Sequence, residues 1–372
     1  DWLRINGEAI YGTRPWYIAG EGPTQTKVNM SKGGHFNETG EPRLCAHDIR
    51  FTQKENSLYA TCLGIPGDEM VINEFKMRVN PDEIKQVTML GVGGYHIGWT
   101  TERDAEEVIE AALAGGVRFF DTAHNYGKGT SEERYGKYLV PKYRDEVFLM
   151  TKTQAKDKAS ALAEIDTSLK RLKTDRVDLL QAHSLFTAED VDERMANGVF
   201  DALEEALAGG KTRYIGFTGH QNPAAQERLL DRWDECPGFV ACQFPINIVD
   251  VAAGNSFVKQ VLPRATDKRL GVLAMKTLAD GRFFARKTMN GKTRWTSDDP
   301  VVPGRVSIAD ALNFAWSLPI SVLITGAENA GMMKEKIRMA RAFAAQTEQA
   351  RTALVEKVAD LAVEGTVEYY KK

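Results

Sequence analysis

Four side chains in this sequence have types and placements suited to chemistry, and three of them close an apolar run. Asp121 ends Val117-Arg118-Phe119-Phe120-Asp121, and Tyr126 follows in Thr122-Ala123-His124-Asn125-Tyr126-Gly127. Lys152 ends the run from Val147, and His183 ends the run from Val177. Desolvation at such places shifts pKa values and strengthens interactions between charges. A carboxylate, a phenol, an ammonium and an imidazole together suit carbonyl reduction. Hydride arriving at the carbon leaves a developing alkoxide that needs a proton. A phenol with a pKa near ~10 is a poor acid at neutral pH unless a cation stabilises its phenolate. A buried Lys152 ammonium would do so, Asp121 would keep it charged, and His183 would donate to the carbonyl oxygen as an oxyanion-hole group does. Singly, each has a plainer reading: Asp121 as a cap, Lys152 reaching solvent, His183 as a satisfied rim histidine. Four together at strand ends favour chemistry.

The elements that must position them begin near residue 85. Strands are predicted near 87–93, 117–121, 147–152, 177–183, 213–218, 239–244, 270–275 and 321–325, with amphipathic helices between. In 103–114, Ala105, Val108, Ile109, Ala112 and Leu113 share one face; in 158–172, Leu162, Ile165, Leu169 and Leu172 form a stripe. Strands as apolar as Leu270–Met275 are expected where both faces are covered. Eight such units imply an α/β fold, a (β/α)8 TIM barrel, whose chemistry sits at the C-terminal strand ends. A doubly wound open sheet is the runner-up, and the missing GxGxxG fingerprint counts against it. A last helix, 345–363, carries Ala350, Leu354, Val358 and Leu361 and is expected on the outside.

Residues 1–75 have a different texture. Gly and Pro recur, and Asp48–Thr52 and Leu58–Leu63 alternate around the polar stretch Gln53–Asn56, which predicts a hairpin. The expected domains are therefore a short β-rich segment, 1–75, and a barrel with its final helix, 76–372.

The run Phe119–Gly127, with Gly129, Ser131-Glu132 and Gly136, resembles the signature of the aldo-keto reductase family. Lys152, Asp178–His183 and Arg213–Thr218 extend the resemblance, which spans about 80–345. It implies that Asp121, Tyr126, Lys152 and His183 form a catalytic tetrad, and that NADP or NAD binds extended across the barrel mouth. It further matches Gln243 to the family's carboxamide-binding Gln. Where the family has Ser-Asn after its fifth strand, this chain has Thr218-Gly219 followed by His220; Met275 stands where an aromatic stacks on nicotinamide. At the adenosine end the usual basic residues align with Gly326 and Met332, while Glu335 matches an adenine contact. Arg338 or Arg341 is then the candidate to compensate, and the reading leans to NAD. Tyr95, His96, Trp99, His124 and Phe186 are candidate pocket residues. Phe283, Phe284 and Trp295, in the stretch 276–304, either line an apolar pocket for aromatic or aliphatic carbonyls or anchor a long loop.

Residues 1–72 resemble the end of the catalytic barrel and the start of the C-terminal sandwich of family 29 α-L-fucosidases, through Asp1–Trp16, Glu21-Gly22-Pro23, Asp48–Thr52 and Leu58–Ala60. That family's catalytic carboxylates lie upstream of this stretch, so a fused, catalytically idle fragment is expected. The alternatives are a hydrolase remnant and a non-catalytic cofactor-binding regulatory module. A net charge of −3 over 372 residues argues against nucleic acid or an anionic membrane as partner. No apolar run spans a bilayer, and Cys45, Cys62, Cys236 and Cys242 show no metal spacing. A cytoplasmic enzyme with a small carbonyl or alcohol substrate and no metal is the expectation. Physiological substrate, reaction direction and oligomeric state leave no signature.

Overall fold

The structure, a computed structural model, describes residues 14–21, 49–54, 57–62, 89–236, 238–284, 286–289, 292–296, 304–365 and 367–371. The chain divides into two units, Asp1–Gln86 and Val87–Lys372. In the first, β1 (Arg14–Glu21), β2 (Ile49–Lys54) and β3 (Ser57–Cys62) form an antiparallel sheet in that order. The expected hairpin is its β2–β3 ladder, running from Ile49↔Cys62 to Lys54↔Ser57. β1, which the sequence did not single out, pairs with β2 through a register shift between Pro15 and Gly20. The rest of the fucosidase-like stretch lies outside the described residues.

The second unit holds β4 (Met89–Gly93), β5 (Phe119–Asp121), β6 (Phe148–Thr153), β7 (Val177–Ala182), β8 (Thr212–Thr218), β9 (Phe239–Pro245) and β10 (Gly271–Met275). β11 (Arg286–Met289) and β12 (Lys292–Thr296) make a separate antiparallel hairpin within the stretch expected as a loop. β13 (Val322–Thr325) returns between β10 and β4 and closes a parallel barrel of eight strands, which rules out the open sheet.

Helix boundaries follow their caps. Thr101 accepts from the Asp104 amide to start Glu102–Ala114, and Asp157 accepts from the Ser160 amide to start Lys158–Leu172. Their apolar stripes pack on the outward residues of the strands, Val92, Phe120, Leu149, Leu180 and Phe217 among them. Inside the barrel, Phe119, Met150, Leu179, Ala241, Leu273, Val322 and Ile324 form a separate apolar cluster, with Phe148 stacked on Phe119 at 4.8 Å. Gly91 faces this interior: a Cβ there would come within 3.0 Å of the Phe119 ring and 3.1 Å of Val322. The expected single helix 345–363 is an α-helix, Glu348–Glu356, followed by a 3-10 stretch, Ala359–Gly365. Its Leu354 and Val358 are buried with Phe283 and Phe314.

Candidate active site

Strand parity decides which side chains meet at the barrel mouth. Phe119 faces inward and Phe120 outward, so Asp121 faces inward again. The same count carries Met150 to Lys152, and Leu179 through Gln181 to His183. Gly94 lets the following helix, Gly94–Trp99, lie against the end of β5, because a Cβ there would sit 2.2 Å from the Asp121 carbonyl oxygen.

Lys152, 1% exposed, donates to Asp121 Oδ1, to the Thr122 carbonyl at 2.7 Å and to Tyr126 Oη at 3.4 Å. The rings of Tyr95 and His183 each meet the Tyr126 ring edge-on, with centroids 5.6 Å apart in both pairs. Asp121, Tyr126 and His183 open onto a cavity of about 850 Å³.

Burial is the largest electrostatic influence on each group. It raises the Tyr126 pKa well above the ordinary phenol value, and Asp121 adds to the rise. The phenol is therefore protonated at rest. Burial, then Lys152, holds the His183 imidazole well below its usual pKa and therefore neutral at pH 7. Burial also raises Asp121 and lowers Lys152, while their mutual attraction opposes both shifts. Hydrogen bonds to Asp121 from the Gly94 backbone and the Gln243 side chain, and from Lys152 to a carbonyl, favour the charged forms. The direct contact of Lys152 Nζ with Asp121 Oδ1 is that of an ion pair.

A further wall comes from the segment 367–371, to which the sequence alone assigns no role. Tyr369 and Tyr370 line the cavity with His220, Gln221, Lys276, Thr277 and Asp280. Tyr370 Oη donates to Glu368 Oε1 at 2.7 Å, and Asn247 Nδ2 reaches the same oxygen at 2.9 Å. Lys371 binds both Asp250 and Glu368, and all three side chains are no more than 4% exposed. The only signal in the sequence is an aromatic pair flanked by opposite charges. Ser184 and Lys276, immediately after His183 and Met275, both hold left-handed backbone, at φ 52° and 53°. Strain of this kind persists only where surrounding structure imposes it.

Residues 89–355 match the aldo/keto reductase family. The chain belongs to that family. It is 31% identical over 209 residues to aldo-keto reductase YhdN of Bacillus subtilis, covering 53% of this chain and 59% of that protein. It is 31% identical over 235 residues to L-galactose dehydrogenase of Arabidopsis thaliana, covering 58% and 68%. The chain spans about three fifths of the length of the Bacillus subtilis relatives YhdN and YrpG, 59% and 64%. The holo form of an aldo-keto reductase from Bacillus halodurans superposes with a TM-score of 0.58 at 22% identity, over 73% of this chain and 92% of that one.

Against the aldo/keto reductase pattern, Gln243, Met275, Gly326 and Glu335 line the cavity. Gln243 Oε1 is buried and has no hydrogen-bond partner among the described residues, an acceptor that a carboxamide N–H would satisfy. Thr218 and Gly219 do not line the cavity, contrary to expectation. Thr218 is 1% exposed, and Gly219 is tied by its amide to the Gln243 carbonyl at 3.2 Å. The residues of this turn that face the cavity are His220 and Gln221. Neither Arg338, with 75% of its side chain exposed, nor Arg341, which donates to the Gly115 carbonyl at 3.0 Å, lines the cavity. Lys336 does, one helical residue beyond Glu335, and it donates to the Gly326 carbonyl.

Of the expected pocket residues, Tyr95, His96 and Trp99 line the cavity, whereas His124 and Phe186 do not. His124 turns onto the helix Lys158–Leu172, with Nδ1 3.2 Å from Ser168 Oγ. Phe186 lies under the Lys156 ammonium, 5.2 Å from its ring centroid. Phe283 is fully buried in the cluster with Leu354, which makes it an anchor rather than a pocket wall. The side chains of Phe284 and Trp295 lie outside the described residues. Among the described residues no His, Cys, Asp and Glu are grouped to hold a metal ion, and no helix is long and apolar enough to cross a membrane.

Proposed function

We propose that the barrel reduces an aldehyde or ketone to an alcohol, or runs the reverse reaction, with NADP or NAD in this cavity. The observation that carries the reading is the buried Lys152 ammonium touching Asp121, the Thr122 carbonyl and the Tyr126 phenol at the mouth of a cavity large enough for a cofactor and a small substrate. Gln243 would hold the carboxamide end, and Glu335 with Lys336 the adenosine end. The nicotinamide supplies or accepts the hydride when bound. Tyr126 Oη gives its proton to the carbonyl oxygen, and the phenolate that develops is stabilised by Lys152. Because burial opposes phenolate formation, this stabilisation acts mainly in the transition state. His183, neutral, donates one N–H to the same oxygen and orients it. Acid assistance of this kind contributes roughly 100- to 10,000-fold.

The wall of His220, Gln221, Thr277, Asp280 and Tyr369 favours a polar, hydroxyl-bearing carbonyl compound over an aliphatic or aromatic one. Thr277 Oγ1 is buried with no partner among the described residues, ready to meet such a hydroxyl. Residues 1–86 take no part in this chemistry on our reading, and the fucosidase-like stretch is a fused fragment. Buried free thiols at Cys236 and Cys242 accord with a reducing, cytoplasmic setting. The test is titration of the full chain with NADH and NADPH, then single-turnover reduction of aldehydes including glyceraldehyde and 4-nitrobenzaldehyde. Cofactor binding without reduction of any aldehyde would replace an enzyme with a binding module.

A further inference from the structure

The short helix Thr130–Arg134 sets two buried polar residues against the strand ends that carry the tetrad. Ser131 Oγ accepts from Thr122 Oγ1 and donates to the Gly94 carbonyl, both at 2.8 Å. Glu132 is fully buried, and its Oε1 accepts from Thr151 Oγ1 at 2.6 Å, one residue before Lys152. Its Oε2 lies 3.3 Å from an Arg171 guanidinium nitrogen, which also donates to the His124 carbonyl at 3.0 Å, two residues before Tyr126. Gly129, at φ 99°, makes room for that guanidinium: a Cβ there would lie 2.5 Å from its central carbon. One carboxylate is therefore linked through the Thr151 hydroxyl and through Arg171 to the two segments that carry Lys152 and Tyr126.

We propose that Glu132 is a positioning residue for the reaction: it fixes Lys152 through Thr151, steadies the Tyr126 segment through Arg171, and adds a second negative charge to the field of the ammonium. A buried carboxylate with a single cationic partner is costly to keep, and a neutral residue could fill the space. The groups facing Lys152 are Asp121 from β5, the Thr122 carbonyl, Tyr126, His183 after β7, and Glu132. Asp121 and Glu132 both raise the pKa of the ammonium against burial, which lowers it. Glu132→Gln keeps an acceptor for Thr151 and removes both the charge and the oxygen that faces Arg171. Lys152 then loses its proton at lower pH, and the alkaline limb of the rate moves down.

This inference rests on the roles given to Lys152 and Tyr126 above, and the experiment separates the two. Turnover numbers are measured from pH 6 to 10 with NADPH and whichever aldehyde of the panel the full chain reduces. The variants are Glu132→Gln, Thr151→Val and Tyr126→Phe. We expect Glu132→Gln to lower kcat about tenfold, to shift the alkaline limb down by about half a pH unit or more, and to leave NADPH affinity within about twofold. Thr151→Val, which keeps the charge and removes the bond, lowers kcat with the limb in place. A folded Glu132→Gln protein with the wild-type kcat and limb overturns the proposal. If that variant does not fold, wild-type kcat in Thr151→Val overturns it instead. Turnover retained by Tyr126→Phe sinks the reductase reading itself, whatever Glu132 does.

Discussion

Replacing Lys152 by Met should separate what the ammonium does for the fold from what it does for the reaction. Lys152 is 1% exposed and Asp121 is 3% exposed, so the single substitution leaves a buried carboxylate without its cation. Removing one partner of a buried pair typically costs about 3–5 kcal/mol. At roughly 2 °C per kcal/mol for a barrel of this size, the melting temperature falls by about 6–10 °C. The double variant Lys152→Met/Asp121→Asn removes the stranded charge while the Gly94 amide still finds an acceptor. It should regain more than half of the lost stability, yet turnover stays at least about 100-fold down, since Tyr126 has no cation to stabilise its phenolate. Calorimetry and single-turnover reduction on the same preparations measure both. A double variant no more stable than Lys152→Met refutes the stranded-charge argument. A near-neutral effect of Lys152→Met on stability would mean that the buried pair rests in its uncharged forms.

Three other outcomes follow from the same geometry. NADPH should bind less than about 100-fold more tightly than NADH, roughly 2.7 kcal/mol, because Lys336 already donates to the Gly326 carbonyl; a larger ratio in measured dissociation constants, lost in Lys336→Met, reverses this. Burial lowers the His220 pKa to about 3 and holds His183 well below its usual value, so both stay neutral in the folded state where the unfolded chain takes up protons. Stability should therefore fall as pH drops below about 6.5, these two groups together contributing a slope of up to about 2.7 kcal/mol per pH unit; His220→Gln should flatten the acid side of the melting curve against pH, and an unchanged slope tells against it. Deletion of Asp1–Gln86 should leave aldehyde turnover within about twofold, since no tetrad group lies there; cleavage of an aryl α-L-fucoside by the full chain, lost on deletion, would give that unit a chemistry of its own.

The barrel was legible because its strands are short, apolar and regularly spaced, and because Asp121, Lys152 and His183 close three of them. Parity along a strand is a local property, so it survives into the fold. What escaped were contacts set by distant segments. Nothing in Thr218-Gly219-His220 says which of the three turns inward; the backbone bond from Gly219 to the Gln243 carbonyl decides it. Helical spacing puts Lys336 on a different face from Arg338, which shares its own face with Arg341 three residues on. His124 sits two residues before Tyr126 in sequence, but its contacts are with Ser168 and Arg171 rather than with the cavity. The hairpin β11–β12 carries little alternation, and its sequence signal is the Asn290-Gly291 pair between the two strands.

The wall formed by 367–371 bears on how this site is held together. Asp121 ends β5 and His183 follows β7, and β6, which pairs with both strands, sets their register. Lys371 reaches Asp250 across 121 residues, and Tyr370 reaches Asn247 across 123. Closing a loop about twice as long costs only about 0.6 kcal/mol more, which the buried Lys371 contacts offset once they form. The wall that shapes the pocket is therefore tied down by chain-distant contacts that the Lys152–Asp121–Tyr126 group does not share.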